Sequence, residues 1–129
     1  MTDTTAPYHA HIYYALADRD VALALQERLK GMMQADAVPL FVGALKDRKA
    51  GPHPIPQFEI HFLARDLPVL TPILEGSGLR TLVHPLTDDD MADHTVLGNW
   101  IGAPIDLDLT TLDPPGVNQG IPRFGKTDF

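Results

Sequence analysis

Separated stretches of this chain alternate with a period of two, and that alternation constrains the fold more than any other feature. In Tyr8-His9-Ala10-His11-Ile12-Tyr13-Tyr14, the even positions are Tyr8, Ala10, Ile12 and Tyr14, and the odd ones are His9, His11 and Tyr13. Successive side chains of a strand point to opposite faces, so the segment reads as a strand with one apolar face and one histidine-bearing face. Phe58-Glu59-Ile60-His61-Phe62-Leu63 repeats the pattern and sets Phe58, Ile60 and Phe62 against Glu59 and His61. A further strand, Leu79 to Leu86, carries Arg80, Leu82, His84 and Leu86 on one parity.

The segments between change period. After Asp18 or Asp20, either able to cap a helix, Val21, Leu25, Leu29, Met32 and Met33 recur at helical spacing, with Glu27, Arg28 and Lys30 outward. The apolar run from Val38 to Leu45 contains Pro39, which cannot donate to a ladder and belongs at a sheet edge. Gly51, Pro52, Pro54 and Pro56 make Lys46 to Gln57 a loop. A second helix starts at Asp66 with Pro68 in its first turn; Val69, Leu70, Ile73 and Leu74 form its buried side, and Gly76 and Gly78 end it. Pro72 should kink that helix.

Strand, helix, strand, strand, helix, strand is the ferredoxin-like βαββαβ order: an α+β fold with an open antiparallel sheet and both helices on one face. In that topology the second strand lies at an edge, and the first is central between the third and fourth. Residues of those three strands therefore converge on the helix-free face. Thr87-Asp88-Asp89-Asp90 is a capping pattern that opens a short helix carrying Asp93 and His94. From Gly102 onward the chain is proline-rich and polar. We divide it into a flexible amino terminus (1–7), a folded domain (8–104) and an extended carboxyl-terminal arm (105–129).

A length of 129 residues suits one domain. With 10 Lys and Arg against 17 Asp and Glu, the net charge of −7 disfavours neutralisation of phosphates, so nucleic acid is not an expected partner. No apolar run approaches the roughly 18 to 20 residues of a membrane span, and no basic region precedes an apolar stretch at the amino terminus, so no membrane partner and a cytoplasmic location are expected. The absence of cysteine excludes disulfides, thiolate zinc sites, iron–sulfur clusters and cysteine nucleophiles. Any metal must be held by imidazole and carboxylate.

Six histidines then need a role. His9 and His11 share a strand face, His84 lies on the adjoining strand, Glu59 and His61 on the strand at the other side, and His53 and His94 in flanking segments. Two imidazoles with a third imidazole or a carboxylate suit non-haem Fe(II), with zinc the main competitor. The plainer reading of a His-x-His pair is a half-buried surface feature, and it fits His61 as a wall residue and His9 as an outer or exposed side chain. His53, between Pro52 and Pro54, is either a ligand in a stiffened frame or part of a rigid turn into the third strand. His94 follows Asp90 by four and Asp93 by one, so a carboxylate could raise its basicity and make it a proton donor; the alternative is an ordinary surface pair. Trp100 reads as core or dimer contact rather than as catalytic.

Taken in order, His11-Ile12-Tyr13-Tyr14, Gly51-Pro52-His53-Pro54 followed by Phe58-Glu59-Ile60, Leu82-Val83-His84-Pro85, Asp93-His94-Thr95 and Trp100-Ile101-Gly102 resemble the DOPA 4,5-dioxygenase family over about residues 8 to 105. The resemblance implies a ferredoxin-like domain paired as a dimeric α+β barrel, a non-haem metal centre, and extradiol opening of a catechol such as DOPA by O2. His11, His53, His84 and His94 fall on the family's motif positions. One stretch departs: Pro72-Ile73-Leu74 before Glu75-Gly76-Ser77-Gly78 stands where the family commonly has a tryptophan-leucine pair before an arginine-glycine turn.

On this reading Fe(II), with zinc or another divalent metal as substitute, is held by His11 and His84, with His53 or Glu59 as third ligand. His94 moves a proton, and Tyr13, Arg80, Asn99 and His9 contact substrate. The alternatives are a metal-free dimeric α+β barrel enzyme whose histidines shuttle protons, and a small aromatic ligand-binding module without turnover.

Overall fold

The computed structural model describes residues 5–36, 38–50, 52–87 and 89–112. Strand β1 (Pro7–Tyr13) is followed by a 3-10 turn (Leu16–Asp18), helix α1 (Arg19–Asp36), the short strand β2 (Phe41–Val42) and strand β3 (Gln57–Leu63). A 3-10 turn (Ala64–Asp66) leads into α2 (Leu67–Gly76); β4 (Thr81–Pro85), α3 (Asp90–His94), β5 (Asn99–Ile101) and a last 3-10 turn (Leu109–Thr111) complete the order. The sheet runs β2-β3-β1-β4-β5 with antiparallel neighbours, so β1 is central between β3 and β4 and β2 lies at an edge, as the ferredoxin-like order requires. His9 is opposite His61 on one side and His84 on the other; His11 is opposite Glu59 and Leu82.

The alternation of the strands becomes the two faces of the sheet. Ala10, Ile12 and Tyr14 join Phe58, Ile60, Phe62 and Val83 in one core with Ala22, Leu25 and Leu29 of α1 and Leu70 and Leu74 of α2. Each large apolar side chain buried in this way contributes about 1.5–3 kcal/mol. The other parity is left for the site. Tyr14 keeps its ring in the core, and its hydroxyl donates to Asp47 Oδ1 at 2.6 Å, which also accepts from Arg19 Nε at 3.0 Å. That pair of bonds ties the loop after β2 to the start of α1.

Several local readings of the sequence shift. Val21 and Val69 are exposed, at 46% and 53%, rather than buried. Leu25 and Leu29 of the expected α1 stripe are buried and Met32 and Met33 pack against the core, whereas Ala22 and Gln26 join the buried side in place of Val21, Gln26 because its Nε2 amide donates to the Gly43 carbonyl at 2.8 Å. Asp18 falls in the 3-10 turn and Asp20 in the first turn of α1, because the helix begins between them. Pro72 is accommodated inside α2, where it removes the N–H that would bond the Pro68 carbonyl.

Helix α3 is capped by Asp89, whose carboxylate accepts from Ala92 N at 3.0 Å, rather than by Thr87. Strand β5 was not expected from the sequence; it pairs Leu82 with Trp100 and Thr81 with Ile101. Of the amino-terminal segment 1–7, residues 1–4 lie outside the described residues and Pro7 already begins β1. Residues 113–129 of the arm, together with Gly51 and Asp88 of the motifs, also lie outside them. The described part of the arm is fastened to the proline-rich loop: Asp108 N donates to the Pro52 carbonyl at 2.8 Å, and Lys49 pairs with the Asp108 carboxylate. Among the described residues, no helix is long and apolar enough to cross a membrane.

Candidate metal centre

Because β1, β3 and β4 are neighbours, their odd or even sets meet on the helix-free face. That brings together His9 and His11, Gln57, Glu59 and His61, and Leu82 and His84. The proline-framed loop adds His53 and α3 adds His94. All six histidines are buried, with exposures from 0 to 7%. Their rings form one continuous cluster: His61 stacks on His9 at 3.7 Å, His9 is 5.5 Å from His84, and His84 is 5.0 Å from His11 and 4.3 Å from His94. His53 lies 3.9 Å from His11. His9, His11, His53, His84 and His94 line a cavity of about 60 Å³ together with Gln57, Glu59 and Asp90, and the arm's Thr111 and Leu112 form part of its wall.

The neighbours of the rings decide where their protons lie. A carbonyl oxygen only accepts, so His84 Nδ1, 2.8 Å from the Pro85 carbonyl, carries the proton, and Nε2 keeps its lone pair. His94 Nδ1 is fixed in the same way by the Asp90 carbonyl at 2.8 Å. His11 Nδ1 donates to the amide oxygen of Gln57 at 3.2 Å, which again leaves Nε2 as the lone-pair atom. The Nε2 atoms of His11 and His84 are 2.9 Å apart. Two lone pairs directed at one another at that distance repel unless a proton or a cation lies between them, and a shared metal ion satisfies both.

Electrostatics favours the same protonation state. Burial first, and then His53, pushes His11 well below the ordinary imidazole range; burial and then His94 do the same for His84. Burial, with His94 and Lys46 adding to it, brings His53 down to about 3. Neutral imidazole is the form that ligates a metal. Burial also pushes the Tyr13 hydroxyl up, so it stays protonated, and its oxygen, 2.6 Å from His53 Nδ1, can accept from Nδ1–H and leave His53 Nε2 as the lone-pair atom.

The structure brings His11, His53, His84 and His94 together: His9, His11 and His84 form one group whose ligand atoms lie within 4.8 Å of one another, and His11, His53 and His94 form another. The cluster can hold a metal ion. Glu59 groups instead with His9 and His61; the imidazole that groups with both His11 and His84 is His9, whereas His53 groups with His11 and His94. His9 is buried rather than exposed, and His61, expected as a wall residue, is fully buried beside it.

Arg80 and Asn99 are exposed and do not line the cavity. Arg80 precedes β4 at the end of the strand remote from His84, and Asn99 pairs with Val83 and so shares its helix-side parity. Tyr13 reaches His53 and stacks on Trp100 at 5.7 Å. Asp93 does not hold His94, because its carboxylate accepts from the Thr87 hydroxyl at 2.7 Å and the Thr87 amide at 2.9 Å; Asp90 is the acid beside His94, at 3.4 Å. Gln57 escaped the sequence reading, although it shares the parity of Glu59 and His61. The stretch Pro72 to Gly78 belongs to α2 and the turn after it, and it does not line this cavity.

A ferredoxin-like sheet with buried imidazoles gathered on its helix-free face is a fold and donor set that can hold a metal ion. The family model described as the Dopa 4,5-dioxygenase family matches residues 8–111, and the chain belongs to that family. It is 33% identical over 113 residues to a DOPA 4,5-dioxygenase of Amanita muscaria, covering 81% of this chain and 49% of that protein. The chain therefore spans about half the length of the curated relative it matches. A crystal structure at 1.46 Å of a protein from Nostoc punctiforme, described as a candidate dioxygenase, is similar with a TM-score of 0.71 at 34% identity, covering 86% of this chain and 96% of that one.

Proposed function

We propose that the chain is a metal-dependent dioxygenase that opens the ring of a catechol, such as DOPA, by extradiol cleavage with O2. The observation that carries the reading is the pair of His11 and His84 Nε2 atoms, 2.9 Å apart, inside a cavity shared with His53 and His94 in a chain of this family. His11, His84 and His53 would hold the ion, iron(II) by the family likeness or zinc in its place. Bound there, such an ion supplies a Lewis acid that lowers the pKa of the catechol hydroxyls and an electron path between catechol and O2.

The chain's own groups do the remainder. His94 presents Nε2 as a lone-pair atom because Nδ1 is spent on the Asp90 carbonyl. It takes a catechol proton and returns it as the ring opens, a role worth about 10²–10⁴ in rate. Tyr13 orients His53. Thr111 and Leu112 exclude water from the cavity. At about 60 Å³ that cavity is far below the roughly 300 Å³ of an open small-molecule site, so these arm residues move aside to admit a ring. A homodimer is expected from the family likeness and is checked by light scattering on the eluting protein.

The test is anaerobic addition of a catechol to the iron-reconstituted chain, followed by air. A yellow ring-opened product formed with consumption of one O2 per catechol supports the reading. Catechol binding without O2 uptake leaves a ligand-binding module, and turnover by metal-free protein leaves a proton-shuttling enzyme.

A further inference from the structure

Ring opening as described needs only His11, His53, His84 and His94, and it leaves His9, Glu59 and His61 without a task. These three are at 1, 3 and 0% exposure. His9 and His61 are directly opposed on β1 and β3, so their rings stack at 3.7 Å with 11° between planes. Glu59, two residues before His61 on the same face, brings one carboxylate oxygen within reach of both: Oε2 is 2.9 Å from His61 Nε2 and 3.4 Å from His9 Nδ1.

A carboxylate this deeply buried is costly unless a cation or a proton accompanies it. Ligands around an ion with bonds of about 2.1 Å are about 3.0 Å apart at a right angle and about 3.4 Å apart at a tetrahedral one. The two contacts of Glu59 have those separations. The Phe41 ring, 4.7 Å from that of His61, shuts the outer side, and His61 does not line the cavity that His9 and Glu59 border.

We propose that His9, Glu59 and His61 form a second cation site, for a first-row divalent metal, beside the imidazole-only group of His11, His53, His84 and His94, with His9 within 4.8 Å of His11 and His84 at the boundary between the two. The inference goes beyond ring opening and does not depend on it. Its single carboxylate makes it the harder of the two donor sets, suited to manganese or iron(II) as well as zinc. Repulsion between two neighbouring dications makes their binding steps unequal, with Glu59 offsetting part of the charge at this one.

The test is calorimetric titration of the chelator-stripped full chain with zinc(II), in wild type and in His61→Phe, Glu59→Gln and His84→Ala. Phe keeps a ring in the stack and Gln is nearly isosteric with Glu, so the second variant serves if the first fails to fold. The expected result is two equivalents in wild type, one in His61→Phe or Glu59→Gln, and one retained in His84→Ala. A wild-type stoichiometry, whether one or two, that both His61→Phe and Glu59→Gln keep overturns the second site. A single equivalent that His84→Ala keeps and His61→Phe loses upholds this site and removes the assignment to His11 and His84 instead.

Discussion

His84 is committed to ligation by the carbonyl beside it, and His11 by an amide from the neighbouring strand. Replacing either ring by alanine is expected to remove the equivalent of metal held by the imidazole group, read by atomic absorption after gel filtration. Gln57 supports from behind: Gln57→Leu removes the acceptor for His11 Nδ1 and should lower metal affinity about 10- to 100-fold with the far-UV circular dichroism unchanged. The metal-free protein should also be acid-sensitive. His11, His53 and His84 have folded-state values below that of an unfolded imidazole, so the unfolded chain binds more protons as pH falls. Stability is full above the unfolded value of about 6.5 and declines below it, toward about 3 for His53. Thermal unfolding of stripped protein between pH 8 and pH 4 checks this, and a flat or rising stability on acidification contradicts it. At this scale His11 and His84 were legible from residue type and parity, whereas His53 and His94, outside the strands, were singled out by the resemblance to the family. Arg80 does not reach the cavity because parity gives a face without giving a position along the strand, Asn99 because it lies opposite Val83 on the helix-side face of a strand with no readable period, and Gln57 was passed over because an amide is not a usual ligand.

The elements were legible where their periods were long. β1 and β3 alternate over seven residues each, enough to separate core from site, whereas β5 has three residues and no detectable period. The stripe of α1 was read correctly at Leu25 and Leu29 but missed Gln26, a polar residue satisfied by a loop carbonyl in a place that the pattern would give to an apolar one, and took in the exposed Val21. The corrected faces predict different costs. Leu29→Ala or Ile60→Ala should destabilise by about 2–5 kcal/mol in chemical denaturation, since both are fully buried in the helix-side core. Val21→Ala and Val69→Ala should stay within about 0.5 kcal/mol. Equal losses at all four would restore the original stripes.

For the molecule as a whole, the strand order is what gathers residues from positions 9 to 94 at one point; the order was readable from the element sequence, whereas the cover over the site was not. Prolines and isolated acids in the arm carry no period, so nothing in the sequence announced that Asp108 would dock on Pro52 and bring Thr111 and Leu112 over the histidines. Lys49 holds the Asp108 carboxyl down to about 2, which keeps this tether charged at neutral pH. Truncation after Pro104 should therefore speed removal of bound metal by a chelator several-fold, and an unchanged rate would show that the arm does not guard the cavity. The convergence of the imidazoles is tested most directly by X-ray absorption at the metal edge of the iron- or zinc-loaded chain. The account predicts imidazole scattering from at least three histidines at about 2.0–2.1 Å, and a lower metal content with weaker imidazole scattering in His84→Ala. A shell of oxygen donors alone, unchanged by that substitution, would contradict it.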